Sequence, residues 1–178
     1  GLPAAFARLA CSKLDRCQRM HLGLALSFKT MERTSQVIEV FHYVTHHPPH
    51  IFQEGLWQVR PLGKDRITID YGSRYGRRPS TLLDLVEMRD IPDRMGLQEL
   101  GIYGAVSNAF INYLVSKILV FLDGIRPRLG WGVLAQIVLR GSKLMKGDLP
   151  GYAIALEADG QRDGEERSVR ILLDHEYN

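Results

Sequence analysis

Short signatures of catalysis are missing from this sequence. No GxGxxG follows an apolar alternating run, and GxxxxGK[ST], GxSxG and HExxH do not occur in its 178 residues. Glycine loops that cradle phosphates and turns that present a nucleophile are therefore not to be read here, and a self-contained enzyme of those kinds is excluded. Cysteine is scarce: Cys11 and Cys17 are six positions apart and form no CxxC. Read as one helix, the segment points them to different faces. That argues against a structural disulfide or a thiolate metal site and for a reducing, cytoplasmic setting. Long blocks of one charge are missing too, since the net +3 is spread without a run of five like charges, so nothing singles out nucleic acid as a partner. The opening GLPAAFARLACSKLDR has no basic segment followed by an unbroken apolar core, so it does not read as a secretory signal. Internal repeats, low-complexity tracts and Pro/Ser-rich linkers are also wanting, which leaves one domain over residues 1–178.

What is present is a series of periodic segments. Phe6, Leu9, Ala10 and Leu14 fall at helical spacing in Leu2–Asp15, and RMHLGLALSF then alternates as a strand does. SQVIEVFHYV is rich in β-branched residues, yet Val37, Val40, Phe41 and Val44 lie at i, i+3, i+4 and i+7, which predicts a helix capped by Thr34 or Ser35 and ended by HHPP. A loop through Phe52 precedes the short strands GLWQVRP and RITIDYG, the turn GSRYGRR, and the strand-like TLLDLVEM. LQELGIYGAV reads as a further strand, AFINYLVSKILVFLDG and WGVLAQIVLRGSKLMK as helices, and Gly151–Asn178 as a closing hairpin. This order predicts an α+β fold: a mixed, largely antiparallel sheet with helices packed on one face.

Several side chains are candidates for chemistry. His42 and His46 stand at i, i+4, with His47 and His50 close behind. That spacing suits a divalent metal, a substrate-facing histidine or, the favoured reading, a solvated helix end, because no carboxylate is placed with them at a motif spacing. Arg74, Arg77 and Arg78 sit among glycines, and guanidinium forks match carboxylates and phosphates; an ordinary basic turn is the competing reading. AVSNAFINYLVSKILVFL is short of the roughly twenty apolar residues of a membrane span and contains Lys117, so it reads as a helix buried between the sheet and another protein surface. Trp131, Val133, Leu134, Ile137, Val138 and Leu139, with Arg126, Arg128, Arg140, Lys143 and Lys146 around them, also suit peripheral contact with a membrane. Asp84 with Glu87, and Glu157 with Asp159, read as solvent-face residues of half-buried strands with no acid/base role.

The segments GLPAAFARLACSKL, CQRMHLGLALSF, EGLWQVRPLG, VEMRDIPDRMGLQELGIYG and YAIALEADGQRDGEERSVRILL, in that order, resemble the part of saccharopine dehydrogenase-like oxidoreductases that follows their nucleotide-binding domain. The resemblance covers most of the chain. It implies the second, substrate-binding and dimerisation domain of a NAD(P)-dependent oxidoreductase, cut from a larger protein. Its Rossmann domain would lie ahead of Gly1 and a helical return beyond Asn178. On this reading the protein is a homodimer that takes a small-molecule substrate, with Arg74, Arg77 or Arg78 holding a substrate carboxylate. No residue here is then assigned to cofactor, metal or catalysis, and the chain alone is expected to bind no NAD(P). The alternative is a non-catalytic interaction or peripheral membrane-binding domain.

Overall fold

The computed structural model describes residues 1–106, 118, 130–144 and 150–175. The chain opens with helix α1 (Leu2–Cys11), which has Pro3 in its first turn, where a missing N–H costs nothing. Ala4, Ala7 and Ala10 form its buried stripe, and their small side chains let the helix lie close to the sheet. Strand β1 (Arg16–Leu26) follows, then a 3-10 turn (Phe28–Thr30) and helix α2 (Thr34–His46). The helical spacing of Val37 and Phe41, both buried, outweighs the β-branched composition of α2. Its start is closed by neither Thr34 nor Ser35. The Gln36 side chain accepts the N–H groups of Glu32 (2.8 Å) and Arg33 (3.0 Å).

The expected loop before Gln53 is instead strand β2 (His50–Gln53), joined to β3 (Leu56–Val59) through Glu54 and Gly55. Both turn residues have positive φ, at 53° and 81°, as a tight hairpin requires. Strand β4 (Arg66–Asp70) leads to a one-turn helix α3 (Gly72–Tyr75), where the sequence reads as a plain turn, and β5 (Arg77–Leu82) begins immediately after it. TLLDLVEM is a strand only as far as Leu82, and Val86–Met88 is a 3-10 turn. Helix α4 (Ile91–Met95), β6 (Glu99–Val106), α5 (Trp131–Leu144), β7 (Tyr152–Arg162) and β8 (Glu165–His175) complete the described order. The long apolar helix expected around 109–124 lies outside the described residues, apart from Ile118.

The fold is α+β, around a mixed, largely antiparallel sheet ordered β3-β2-β6-β1-β7-β8. β1 and β6 are parallel from Arg19↔Glu99 to Leu26↔Val106, and the other pairings are antiparallel. β5 joins the far end of β6 through Thr81↔Gly104 and Leu82↔Tyr103, and β4 pairs with β5.

Alternation then sorts the side chains. Met20, Leu22, Leu100, Ile102, Ile154, Leu156 and Ala158 form one face, buried under α1, α4 and the Val86–Met88 turn. Leu26 and Val106 continue that alternation and pack on a second cluster made by α2 and α5, with Phe41, Trp131 and Val138. Helices α1, α2, α4 and α5 therefore gather on one face, while the one-turn α3 packs through Tyr75 on the other.

The opposite face is covered over part of its length by the β4–β5 hairpin. Gly23 makes this possible: a Cβ there would lie 2.8 Å from Tyr71 Oη and 2.9 Å from Ile69 Cδ1.

The two cysteines do not share a helix. α1 stops at Cys11, and Cys17 belongs to β1, so their sequence spacing says nothing about helix faces. Both are free thiols at one cluster, Cys17 buried in it and Cys11 packed against it.

Candidate functional site

Beyond the β4–β5 hairpin the second sheet face is open, and strand alternation loads it with charge. Arg19 and His21 of β1, Glu99 and Tyr103 of β6, Glu157 and Asp159 of β7, and Ser168 and Arg170 of β8 lie side by side there by register. Three polar chains cross the strands. His21 Nε2 meets Glu99 Oε1 at 2.8 Å, and the imidazole stands edge-on to the Tyr103 ring, with centroids 5.6 Å apart. Arg19 Nε donates to Asp159 Oδ2 (3.2 Å), while Ser168 Oγ donates to Asp159 Oδ1 (2.6 Å). Arg170 pairs with Asp70 (3.1 Å) and Glu157 (3.5 Å), and also donates to the Asp70 carbonyl, so it staples the hairpin to β7 and β8.

The environment tunes two of these groups. Burial, with the Glu99 and Asp65 charges adding, pushes the Tyr103 phenol up to about 12, so it stays a neutral hydroxyl. The Gly72 N–H, donating to Asp70 Oδ1 at 3.0 Å, holds the Asp70 carboxyl below its ordinary range, and Arg170 contributes in the same direction. At the β2–β3 end a shallow groove of about 880 Å³ adjoins Arg19 and Glu99 and is lined by Gln18, Gln53, Gln58, Arg60 and Gln98. Arg60 Nη2 donates to Gln53 Oε1 (3.2 Å) and Gln58 Oε1 (2.9 Å), which fixes these amides as a polar rim.

Chemically, this surface offers an imidazole held by a carboxylate, with guanidinium and amide donors beside it, while the Tyr103 phenol next to the imidazole is buried. That set suits a small polar ligand with anionic and hydrogen-bonding groups. Sequence reasoning passes over the His21–Glu99 pair because the two residues are 78 positions apart. The alternation of RMHLGLAL is the signal that sets Arg19 and His21 opposite Met20, Leu22 and Leu24.

The arginine trio spreads out. Arg74 Nη2 donates to the Pro150 carbonyl (2.9 Å) and Arg78 Nε to the Tyr75 carbonyl (2.7 Å). Arg77 is exposed and acts electrostatically on Asp70, which places it at the rim of the open half-face.

The histidines of α2 stack: the His42 and His46 rings lie 3.9 Å apart, both edge-on to Trp131. His46 Nδ1 donates to the His42 carbonyl, His47 Nδ1 to that of Tyr43, and His50 Nδ1 to that of Pro48. Among the described residues no group of three or more His, Cys, Asp or Glu could hold a metal ion.

Asp84 departs from the solvent-face expectation. It is 3% exposed and sits in the loop after β5, where Arg89 holds its carboxylate at 2.8 Å. Glu157 and Asp159 do share a face, as expected of strand alternation, and both are engaged by arginines.

Trp131 is buried against Phe41 and does not point outward. Val133, Ile137 and Leu144 are large apolar residues that α5 exposes, at 67%, 61% and 83%, while Arg126, Arg128 and Lys146 lie outside the described residues. Among the described residues no helix is long and apolar enough to cross a membrane.

No model of a known protein family matches this chain, and neither does any curated protein.

Proposed function

We propose that this chain is the substrate-binding and dimerisation domain of a saccharopine dehydrogenase-like, NAD(P)-dependent oxidoreductase of the cytoplasm. The observation that carries the reading is the half-uncovered sheet. One face is sealed by helices, and the other is left open beyond the hairpin with a His–Glu pair and a band of arginines and carboxylates on it. A sheet face rich in oriented polar groups and, among the described residues, without a covering layer there is where a small substrate would be held against a second body. In that setting Arg77 and Arg170 stand near enough to the rim to receive a substrate carboxylate. His21, oriented by Glu99, is the group able to give or take the proton that accompanies hydride transfer to or from a C–N or C–O carbon. A nicotinamide nucleotide held by a further domain would supply the hydride chemistry; no residue of this chain is assigned to it.

Two measurements test the proposal together. Fluorescence titration of residues 1–178 should give no measurable NAD(P)H affinity, whereas the full-length natural protein should bind it. Glutarate, a plain dicarboxylate probe, should shift the His21 imidazole resonances of this chain, with the shift lost in Arg170→Ala. Micromolar NAD(P)H binding by this chain, or glutarate shifts confined to residues away from the open half-face, overturns it.

A further inference from the structure

Helix α5 has two apolar faces, and among the described residues only one of them is occupied. Trp131, Leu134, Ala135, Val138 and Ser142 turn inward, and the first four join the cluster built with Phe41 of α2. On the opposite side Val133, Ile137, Arg140 and Leu144 recur at i, i+4, i+7 and i+11, a spacing that lines them up along the helix. All four are exposed, the apolar three at 67%, 61% and 83%. The row they make is about 16 Å long. Gly132 and Gly141 flank it, and a Cβ at either would meet nothing within 4 Å, so the sides of the row are open too. The apolar set that the sequence offers to a membrane is therefore divided: Trp131, Leu134 and Val138 go to the core, and Val133 and Ile137 stay outside.

Charge decides what the outer face fits. Arg140 stands within the row, and Lys143 is exposed one position before Leu144. Between Asp123 and Asp148 the sequence has five basic residues and no acidic one. A protein partner would have to dry Arg140 at the middle of the contact, where an uncompensated charge is costly and interface centres are depleted of charge. A lipid surface makes no such demand. Its acyl boundary takes the apolar side chains, while the long stems of Arg and Lys keep their charged heads among water and phosphates.

We infer that α5 docks flat on the surface of an anionic bilayer, with Val133, Ile137 and Leu144 inserted and Arg140 and Lys143 among the headgroup phosphates. The helix lies on the membrane and does not cross it: its 14 residues span about 21 Å, short of a hydrocarbon core about 30 Å thick. The inference rests on α5 alone and is independent of the oxidoreductase reading.

The test sediments residues 1–178 with sucrose-loaded vesicles of phosphatidylcholine, alone or mixed with phosphatidylglycerol. The chain should pellet with the anionic vesicles, much less with phosphatidylcholine alone, and less as salt rises. Arg140→Gln and Lys143→Gln should each weaken binding about fivefold. Val133→Ser combined with Ile137→Ser keeps the net charge and should weaken binding about tenfold or more. Lys64→Gln removes an exposed charge between β3 and β4 and should change nothing. The substituted side chains are all exposed, and circular dichroism confirms that each variant is folded. Three results would overturn the inference: no sedimentation with anionic vesicles; equal binding by the Val133→Ser, Ile137→Ser variant, which means adsorption by net charge only; or a lipid-free dimer that this variant abolishes, which makes a second copy of the chain the occupant.

Discussion

Removing the Asp84 carboxylate should loosen the junction between α2, the β2–β3 hairpin and the loop after β5, and the structure sets the scale. Asp84 Oδ1 accepts from Arg89 at 2.8 and 3.0 Å, with His50 Nδ1 3.7 Å away, and its backbone carbonyl accepts the Tyr43 hydroxyl at 2.9 Å. The Arg89 guanidinium lies 4.8 Å over the Trp57 ring, and Trp57 Nε1 donates to the Arg89 carbonyl at 3.3 Å. Stripping one partner from a fully buried ion pair costs about 3–5 kcal/mol. In Asp84→Ala the orphaned group is Arg89, 29% exposed and able to regain some water, so the cost falls to about 2–3 kcal/mol. Arg89→Met orphans the 3%-exposed carboxylate and should cost more, about 3–5 kcal/mol. The double variant leaves no unpaired charge and should cost less than the sum by about 1–3 kcal/mol. Urea unfolding of the four proteins, followed by tryptophan fluorescence, measures each value. A coupling energy near zero, or an Asp84→Ala loss below about 0.5 kcal/mol, would refute the claim that this pair fastens the three elements together.

Other consequences are briefer. Gly23→Ala forces a methyl group against Tyr71 and Ile69, so it should cost about 1–3 kcal/mol and speed amide hydrogen exchange in β4 and β5 while leaving the α1 side protected. Burial lifts both the Tyr71 and Tyr103 phenols from an ordinary 10.0 to about 12. The unfolded chain therefore ionises first, so full stability holds below pH 10 and falls as pH rises from there to 12. Alkaline titration of tyrosinate absorbance should show Tyr71 and Tyr103 among the late phenols, and Tyr71→Phe or Tyr103→Phe should each remove part of the stability loss; a single transition near 10 would contradict the burial argument.

The sheet was legible in the sequence wherever alternation is undisturbed. GLWQVRP, RITIDYG, LQELGIYGAV and the closing hairpin all contain strands, and the helical period of Val37 and Phe41 correctly outranked β-branched composition. Boundaries failed where a tertiary contact decides them. TLLDLVEM looks like one apolar strand, but Asp84 turns inward to Arg89 and the chain leaves the sheet after Leu82. His50–Gln53 looks like loop because two prolines precede it, yet its Phe52 pairs with Leu100 of β6. The site was harder to see for a different reason. A cross-strand pair such as His21–Glu99 is set by the parallel register of β1 and β6, and no local pattern reports that register. The cysteines were set on one helix by a wrong premise, that the first helix runs through to Asp15, whereas it ends at Cys11 and Cys17 lies in β1.

The two tasks in the proposed function, holding a substrate and pairing subunits, place opposite demands on a surface. A permanent subunit interface is depleted of charge at its centre, because each buried ion must recover its lost hydration from a partner. The open half-face carries Arg19, His21, Glu99, Glu157, Asp159 and Arg170, already satisfied by one another and partly hydrated. Drying it against a second copy would cost more than those existing pairs return. A small anionic ligand needs less: it can exchange with one carboxylate at an arginine and leave the rest of the network wet. The subunit contact proposed here is then better served elsewhere. Among the described residues strand β8, from Glu165 to His175, ends the strand order and has no strand on its outer side. Antiparallel addition of a second β8 there would pair backbone with backbone without dehydrating the half-face. On this proposed division of labour the ligand and the second subunit would occupy different surfaces of one sheet, its open face and its outer edge.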